Sequence, residues 1–233
     1  MKGFGKLLSG YCIILAASFG IIQLTHKSVQ VLAENTLLKT ANTIVIDPGH
    51  GGVDGGAISC AGTPESKINL EICLRLNDLL HFVGYPTVMI RTEDVSVYTT
   101  GDTIAQKKRS DLKERARLTN STENPILLSI HQNLFLDSRY SGAQVFYAQT
   151  KGSQALAKKL QEKLVDALNP GSNRKEKRSS GVYLMEHIQC PGVLIECGFL
   201  SNPEEEAKLK TKPYQQKLCS VIVSAVSEYL SNT

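Results

Sequence analysis

The chain has no marked excess of charge: 26 Lys and Arg stand against 22 Asp and Glu in 233 residues, a formal +4. That balance argues against the dense basic face of a nucleic-acid binder. CxxC pairs are missing too, since Cys60, Cys73, Cys190, Cys197 and Cys219 are scattered, and with them goes a zinc knot built on thiolates. No stretch repeats at a fixed period, which removes solenoids and arrays. Apolar content is not short: 42% of the residues are hydrophobic, unlike a disordered chain. The length fits one domain, or at most two small ones, at about 100–200 residues each.

What is present begins with Lys2 and Lys6, followed by LLSGYCIILAASFGIIQL, an uncharged run of 18 residues from 7 to 24. As a helix it would reach about 27 Å, close to the hydrocarbon thickness of a bilayer. A basic start before such a run reads as an export or anchor segment, against the alternative of a buried core helix. Its positive end places residues 1–6 in the cytoplasm and the rest outside. VLA before Glu34 has the spacing of a signal peptidase site but lies several polar residues past the run, so an uncleaved anchor and a signal peptide both stand. Cys12 follows bulky Tyr11 and does not read as a lipid-bearing cysteine. The five cysteines beyond this segment are odd in number and cannot all pair, so buried or free thiols are expected. Residues 25–42 are polar and unpatterned, a linker to a domain spanning 43–233.

From residue 43, apolar strands alternate with helical patterns. TIVIDPG (43–49) reads as a buried strand. Thr63 can cap, and Pro64 can open, a helix whose Ile68, Ile72, Leu76, Leu79, Leu80 and Val83 recur at helical spacing until Gly84 stops it. TVMIR (87–91) is a strand, residues 92 to about 108 form a polar loop, RSDLKERARLTN (109–120) is a helix and PILLSIHQN (125–133) another buried strand. GAQVFYAQ (142–149), VYLM (182–185) and GVLIE (192–196) read as strands, and SQALAKKLQEKLVDALN (153–169) as an amphipathic helix. Asn202 with Pro203 starts a short acidic helix, and residues 213–231 form the last one. The alternation predicts a single three-layer α/β domain, a mainly parallel sheet with helices on both faces. In such sheets functional groups gather at the carboxyl ends of the strands.

Three ionisable residues stand at such ends: His50, His131 and Glu196. Within IVIDPGHGG (44–52), Gly49, Gly51 and Gly52 clear space around His50, so that its imidazole can reach something close to the backbone. Alone it would be an ordinary turn residue, but three groups on one sheet edge converge as a catalytic metal requires. A catalytic zinc takes about three protein ligands and keeps one position open. His50 and His131 supply two. Glu65, near the start of the helix after the glycine turn, supplies a third or simply complements the helix dipole, and spacing leaves both readings open. Asp47, Asp54, Glu71, His26, His81 and His187 are less well placed as ligands. Glu196 has apolar neighbours, where a carboxylate is costly unless paired or working. Either desolvation lifts its pKa toward the range of a general base, with Gly198 leaving room for substrate, or it is a core carboxylate paired with an arginine such as Arg115.

IDPGHGGVDGGA (46–57), ESKINLEI (65–72), LLSIHQN (127–133) and PGVLIECGFLSNPEE (191–205) resemble, in order and spacing, the four blocks of the zinc-dependent N-acetylmuramoyl-L-alanine amidases of the amidase 3 class. The resemblance covers residues 43–231. It implies a twisted sheet of about six strands, one zinc ion held by His50, Glu65 and His131, and Glu196 as the catalytic carboxylate. The implied reaction is hydrolysis of the amide joining the lactyl group of N-acetylmuramic acid to L-alanine in peptidoglycan, with Asn133 and backbone amides of the glycine turn as candidates to hold the oxyanion. RSDLKERARLTN, SGAQVFY and SGVYLMEHIQCPGVLIE look most like the germination-specific branch found in endospore formers, as does the plan of one apolar segment and a bare catalytic domain. That branch implies spore cortex as substrate, stem-peptide removal ahead of muramic δ-lactam formation by a separate deacetylase, and a lipoprotein partner. Gln132 and Cys197 depart from the residues common in the family, and neither is expected to touch the zinc set.

Two other readings compete. A zinc carboxypeptidase usually draws a His and a Glu from one HxxE segment, whereas His50 and Glu65 lie far apart. A catalytically silent wall-binding or regulatory module would have no need of all four residues. The basic run NRKEKR (173–178) reads as a solvated loop, and the loop 92–108 as the wall of a glycan groove or a docking element.

Overall fold

The computed structural model describes residues 42–232. The expected export segment, and the linker but for its last residue, lie outside them. Among the described residues no helix is long and apolar enough to cross a membrane.

Strands β1 (Thr43–Pro48), β2 (Thr87–Met89), β3 (Pro125–Asn133), β4 (Gln144–Tyr147), β5 (Lys177–Arg178) and β6 (Gly192–Phe199) form one sheet in the order β2-β1-β3-β6-β4-β5. All neighbours run parallel except β4 against β6. The helices are α1 (Glu65–Phe82), α2 (Ile104–Ser121), α3 (Ser153–Leu168), α4 (Tyr183–His187), α5 (Pro203–Leu209) and α6 (Lys212–Ser231). This is the expected α/β domain with a mostly parallel sheet.

Side chains alternate across a strand, so each central strand feeds two cores. Ile44, Ile46, Leu128, Ile130, Val193 and Ile195 pack on the α1, α3 and α6 side. Val45, Leu127 and Leu194 face the other way, toward α2 and α4. Coverage of both faces explains why β1, β3 and β6 read as nearly unbroken apolar runs. Each aliphatic side chain so buried contributes about 1.5–3 kcal/mol before the entropy of ordering it.

Four expectations need correction. VYLM is not a strand: α4 covers Tyr183–His187 and buries Leu184 and Met185, with Ile188 one turn beyond Leu184. A run of four apolar residues cannot by itself set its period. The sixth strand is instead β5, two exposed residues of the basic run that pair with β4. Helix α2 starts at Ile104, inside the expected loop, where Thr103 and Gln106 close a reciprocal capping box. Helix α1 opens at Glu65 with Pro64 at its cap position and no side-chain cap, so Thr63 has no capping role.

Candidate metal centre and active site

The register decides which strand-end side chains meet. Asp47 lies opposite Ser129, and His131 opposite Glu196. All four alternate onto the face that carries Val45, Leu127 and Leu194, the side where α2 and α4 pack. Past His131 the β3–β6 register slips before resuming at Asn133 and Phe199, an irregularity of the kind that bends strand ends around sites.

His50 follows β1 in a tight turn with φ of 60°, a backbone state uncommon outside glycine that must be held from outside. Two buried arginines hold it. Arg115 Nη1 donates to the Pro48 carbonyl at 2.9 Å and Nη2 to the His50 carbonyl at 2.7 Å. Arg91 donates to the carbonyls of Pro48, Gly49 and Ser66 at 2.9, 3.1 and 2.9 Å. Arg115 is itself fixed by ion pairs with Asp47 and Asp111, and Ser129 Oγ donates to the far oxygen of Asp47 at 2.7 Å. The Asp47 carboxyl is buried, which opposes ionisation, but Arg115 and Ser129 outweigh that and hold its pKa below the ordinary range. Arg115 is thus committed elsewhere, and the reading of Glu196 as its ion-pair partner falls.

The glycines divide their work differently from the expectation. A Cβ on Gly49 would collide with the His131 ring, so Gly49 does clear the site. At Gly51 and Gly52 a Cβ would strike residues 91–96, so these two admit the loop after β2 rather than a ligand.

His50 Nδ1 lies 2.9 Å from Asp54 Oδ2, and its Nε2 lies 3.3 Å from Glu65 Oε2. His131 Nδ1 lies 3.0 Å from Glu65 Oε1, while its ring packs against Gly49. The two imidazoles meet edge to face with centroids 4.9 Å apart. One ligand atom from each of His50, Glu65 and His131 lies within 4.8 Å of the others. The sequence-expected trio therefore converges.

Glu65 is also tightly gripped. Its carboxylate accepts the Ala57 N–H at 3.0 Å, the Gln132 N–H at 3.0 Å and Asn69 Nδ2 at 3.2 Å. Gln132 Nε2 in turn donates to Asn69 Oδ1 at 3.1 Å. Gln132 thus does reach the ligand set, through its own backbone and through Asn69, contrary to expectation. Burial disfavours the Glu65 charge, but the two histidines more than offset it and hold the pKa far below the usual carboxylate range. Burial also works against a protonated His50, yet Asp54 and Glu65 prevail and push its pKa up to about 9. With the carboxylates of Asp54 and Glu65 on either side of His50, the pocket favours positive charge, a condition that a divalent ion would meet.

Glu196 is the opposite case. Its Oε2 is buried with no hydrogen-bond partner, and desolvation pushes its pKa up to about 7. It opens into a cleft of about 300 Å³ shared with His50 and His131, walled on one side by Leu112, Val182, Leu184 and Leu194.

Asp47, Asp54, Asn69 and Arg91 were not distinguishable as parts of the site from sequence. Asp54 had one usable signal: it stands four residues past His50 inside the same glycine-rich turn. Of the other histidines set aside, His81 Nε2 meets the Thr87 hydroxyl and His187 stacks on Tyr183, both on the exposed surface. The five cysteines outside the N-terminal run are free thiols, and only Cys60 is exposed.

Residues 44–228 match the family model described as N-acetylmuramoyl-L-alanine amidase, and the chain belongs to that family of peptidoglycan hydrolases. It is 37% identical over 190 residues to the germination-specific N-acetylmuramoyl-L-alanine amidase of Bacillus subtilis strain 168, covering 81% of this chain and 79% of that one. Among solved structures it is similar to the CwlD amidase from Clostridioides difficile in complex with the GerS lipoprotein, with a TM-score of 0.78, 37% identity, and coverage of 82% of this chain and 99% of that one. It is also similar to an N-acetylmuramoyl-L-alanine amidase from Clostridium difficile 630, with a TM-score of 0.72, 32% identity, and coverage of 83% and 98%.

Proposed function

We propose that this amidase is zinc-dependent, that His50, Glu65 and His131 hold one Zn²⁺, and that Glu196 is its general base. The observation that carries the reading is three donors within 4.8 Å of one another beside a buried, unpartnered carboxylate oxygen. Two imidazoles and one carboxylate suit zinc in ligand type, and three protein ligands leave a position free for reactants. His50 would ligate through Nε2, because Nδ1 faces Asp54. His131 would ligate through Nδ1, the nitrogen that faces Glu65.

Bound there, a zinc ion would supply Lewis acidity to the reaction. The chain's own residues do the rest. Glu196, buried with an oxygen free of any hydrogen-bond partner, takes a proton from the water as the water oxygen bonds to the lactyl carbonyl carbon, and returns that proton to the alanine nitrogen as the C–N bond breaks. Asp54 fixes the tautomer of His50 by accepting from Nδ1–H, and the Asn69–Gln132 pair fixes Glu65. Asn133 and backbone amides of the turn after β1 are the candidates to stabilise the oxyanion.

The biological substrate in this reading is spore cortex peptidoglycan, whose stem peptides are removed before a separate deacetylase allows muramic δ-lactam to form. Similarity to a germination-specific amidase supports that role. Residues 1–24 act as a signal or anchor segment and residues 43–233 as the catalytic domain, on the outer side of the membrane where the polymer lies. A lipoprotein partner is part of the proposal, supported by the complex solved for the similar C. difficile amidase.

The test is digestion of purified peptidoglycan with and without chelator, followed by mass spectrometry. New L-alanine amino termini that disappear on chelation and return with zinc are expected; the same termini at equal rates in chelator would end the zinc reading. For the cortex role, spores lacking this chain should lose muramic δ-lactam, and a normal lactam content would remove it.

A further inference from the structure

Besides its histidines, the described residues lining the cleft include two basic side chains, Arg115 and Lys108, and they are in opposite states. Arg115 is buried and all its nitrogens are engaged, with Asp47, Asp111 and the carbonyls of Pro48 and His50. Lys108 is half exposed and spends one contact, 2.7 Å from its Nζ to Asp54 Oδ1. An ammonium has three donors, so Lys108 brings uncommitted ones to the mouth of the cleft. Lys108, Asp111, Leu112 and Arg115 lie at spacings of three and four along α2, one face of the helix laid against the site.

The carboxylates in the cleft do not compete for it equally. Asp47 and Asp111 are held by Arg115, Asp54 is shared between His50 and Lys108, and Glu196 is left for chemistry. The cleft therefore offers, beside His50 and His131, an apolar wall of Leu112, Val182, Leu184 and Leu194 and a single available ammonium, which reaches the site next to Asp54. A ligand that fits has a small apolar group near the reacting carbonyl and an anion a short distance along the chain.

Resting on the amidase reading above, we propose that this side of the cleft is the peptide-side subsite, and that Lys108 is a specificity-determining residue which pairs with a free carboxylate on the residue after the released L-alanine. The alanine methyl lies against the apolar wall, and the neighbouring acidic residue of the stem meets Nζ. Asp54 orients the ammonium from behind while holding His50, so that one carboxylate sets both the ligand geometry and the subsite.

The test compares two peptidoglycan fragments on the same glycan chains, one with a free carboxylate on the second stem residue and one with that group amidated. kcat/KM is measured for each with the zinc-loaded protein, with Lys108→Met and with Lys108→Arg. The unaltered protein should favour the free acid by about fivefold, the scale of a partly exposed ion pair. Lys108→Met should bring the ratio to about one through a higher KM for the acid, and Lys108→Arg should retain the preference. A role confined to holding Asp54 and His50 would slow both fragments alike and leave the ratio unchanged, which overturns the proposal. No preference in the unaltered protein overturns it as well while leaving the amidase reading intact. Failure to cleave either fragment overturns both.

Discussion

Glu65 and Glu196 are the same residue type beside the same histidine, one bonded to His131 and the other opposite it in the sheet, and the fold treats them in opposite ways. Glu65 receives donors from Ala57, Asn69, Gln132 and both histidines, and stays ionised well below the usual range. Glu196 has an oxygen with no donor at all and is pushed up to about 7. Donors around a carboxylate stabilise its charge, and a dry pocket without them does not. One carboxylate is thereby made a fixed anion and the other a group that exchanges protons near neutral pH, which are the demands of a ligand and of a base.

Replacing each side separately breaks the comparison. Glu196→Gln should lower turnover by about 10²–10⁴-fold while zinc stays bound, measured by metal analysis alongside peptidoglycan digestion; unchanged turnover would take Glu196 out of the mechanism. Arg115→Met leaves Asp47 buried without its cation and should cost about 3–5 kcal/mol in urea unfolding. Asn69→Ala weakens the grip on Glu65 and should reduce zinc affinity about 10–100-fold in a chelator competition, and undiminished affinity would mean that the network is irrelevant to the metal.

The smallest effect sharpens the contrast through stability. In chelator, the folded pKa of Glu196 lies near 7, above its ordinary 4.5, so folding favours the protonated form. The wild-type stability from this group is complete below about 4.5 and is lost as pH rises through about 7. Glu196→Gln should therefore melt a few degrees higher than the wild type at pH 8 and equally at pH 4. A variant less stable at pH 8 would show that the carboxylate is satisfied after all.

Much of the site was legible because three of its residues sit where periodicity ends. His50, His131 and Glu196 interrupt apolar runs at the strand termini, where an ionisable residue is costly unless it is paired or part of a site. Glu65 remained open from spacing, since a carboxylate at a helix start has an electrostatic reason of its own. Its role in the trio depends on the turn of residues 51–64 folding back so that α1 begins beside β3. Asp54 and Gln132 were set aside for a related reason: one is an aspartate in a turn, the other an amide on a strand, and neither type carries a periodicity signal. VYLM failed because four residues fit a strand and a single helical turn equally well.

The amino-acid order alone determined the alternation of strands and helices, the mostly parallel sheet and the edge of it where chemistry gathers, because those follow from which side chains must leave water and at what period. Tertiary structure alone decided which carboxylate is wrapped in donors and which is stripped of them, where Arg115 spends its charge, and that Lys108 keeps donors to spare. Those outcomes depend on groups brought together from distant parts of the chain, and electrostatic environment is a property of distance in space, which no spacing along the chain records.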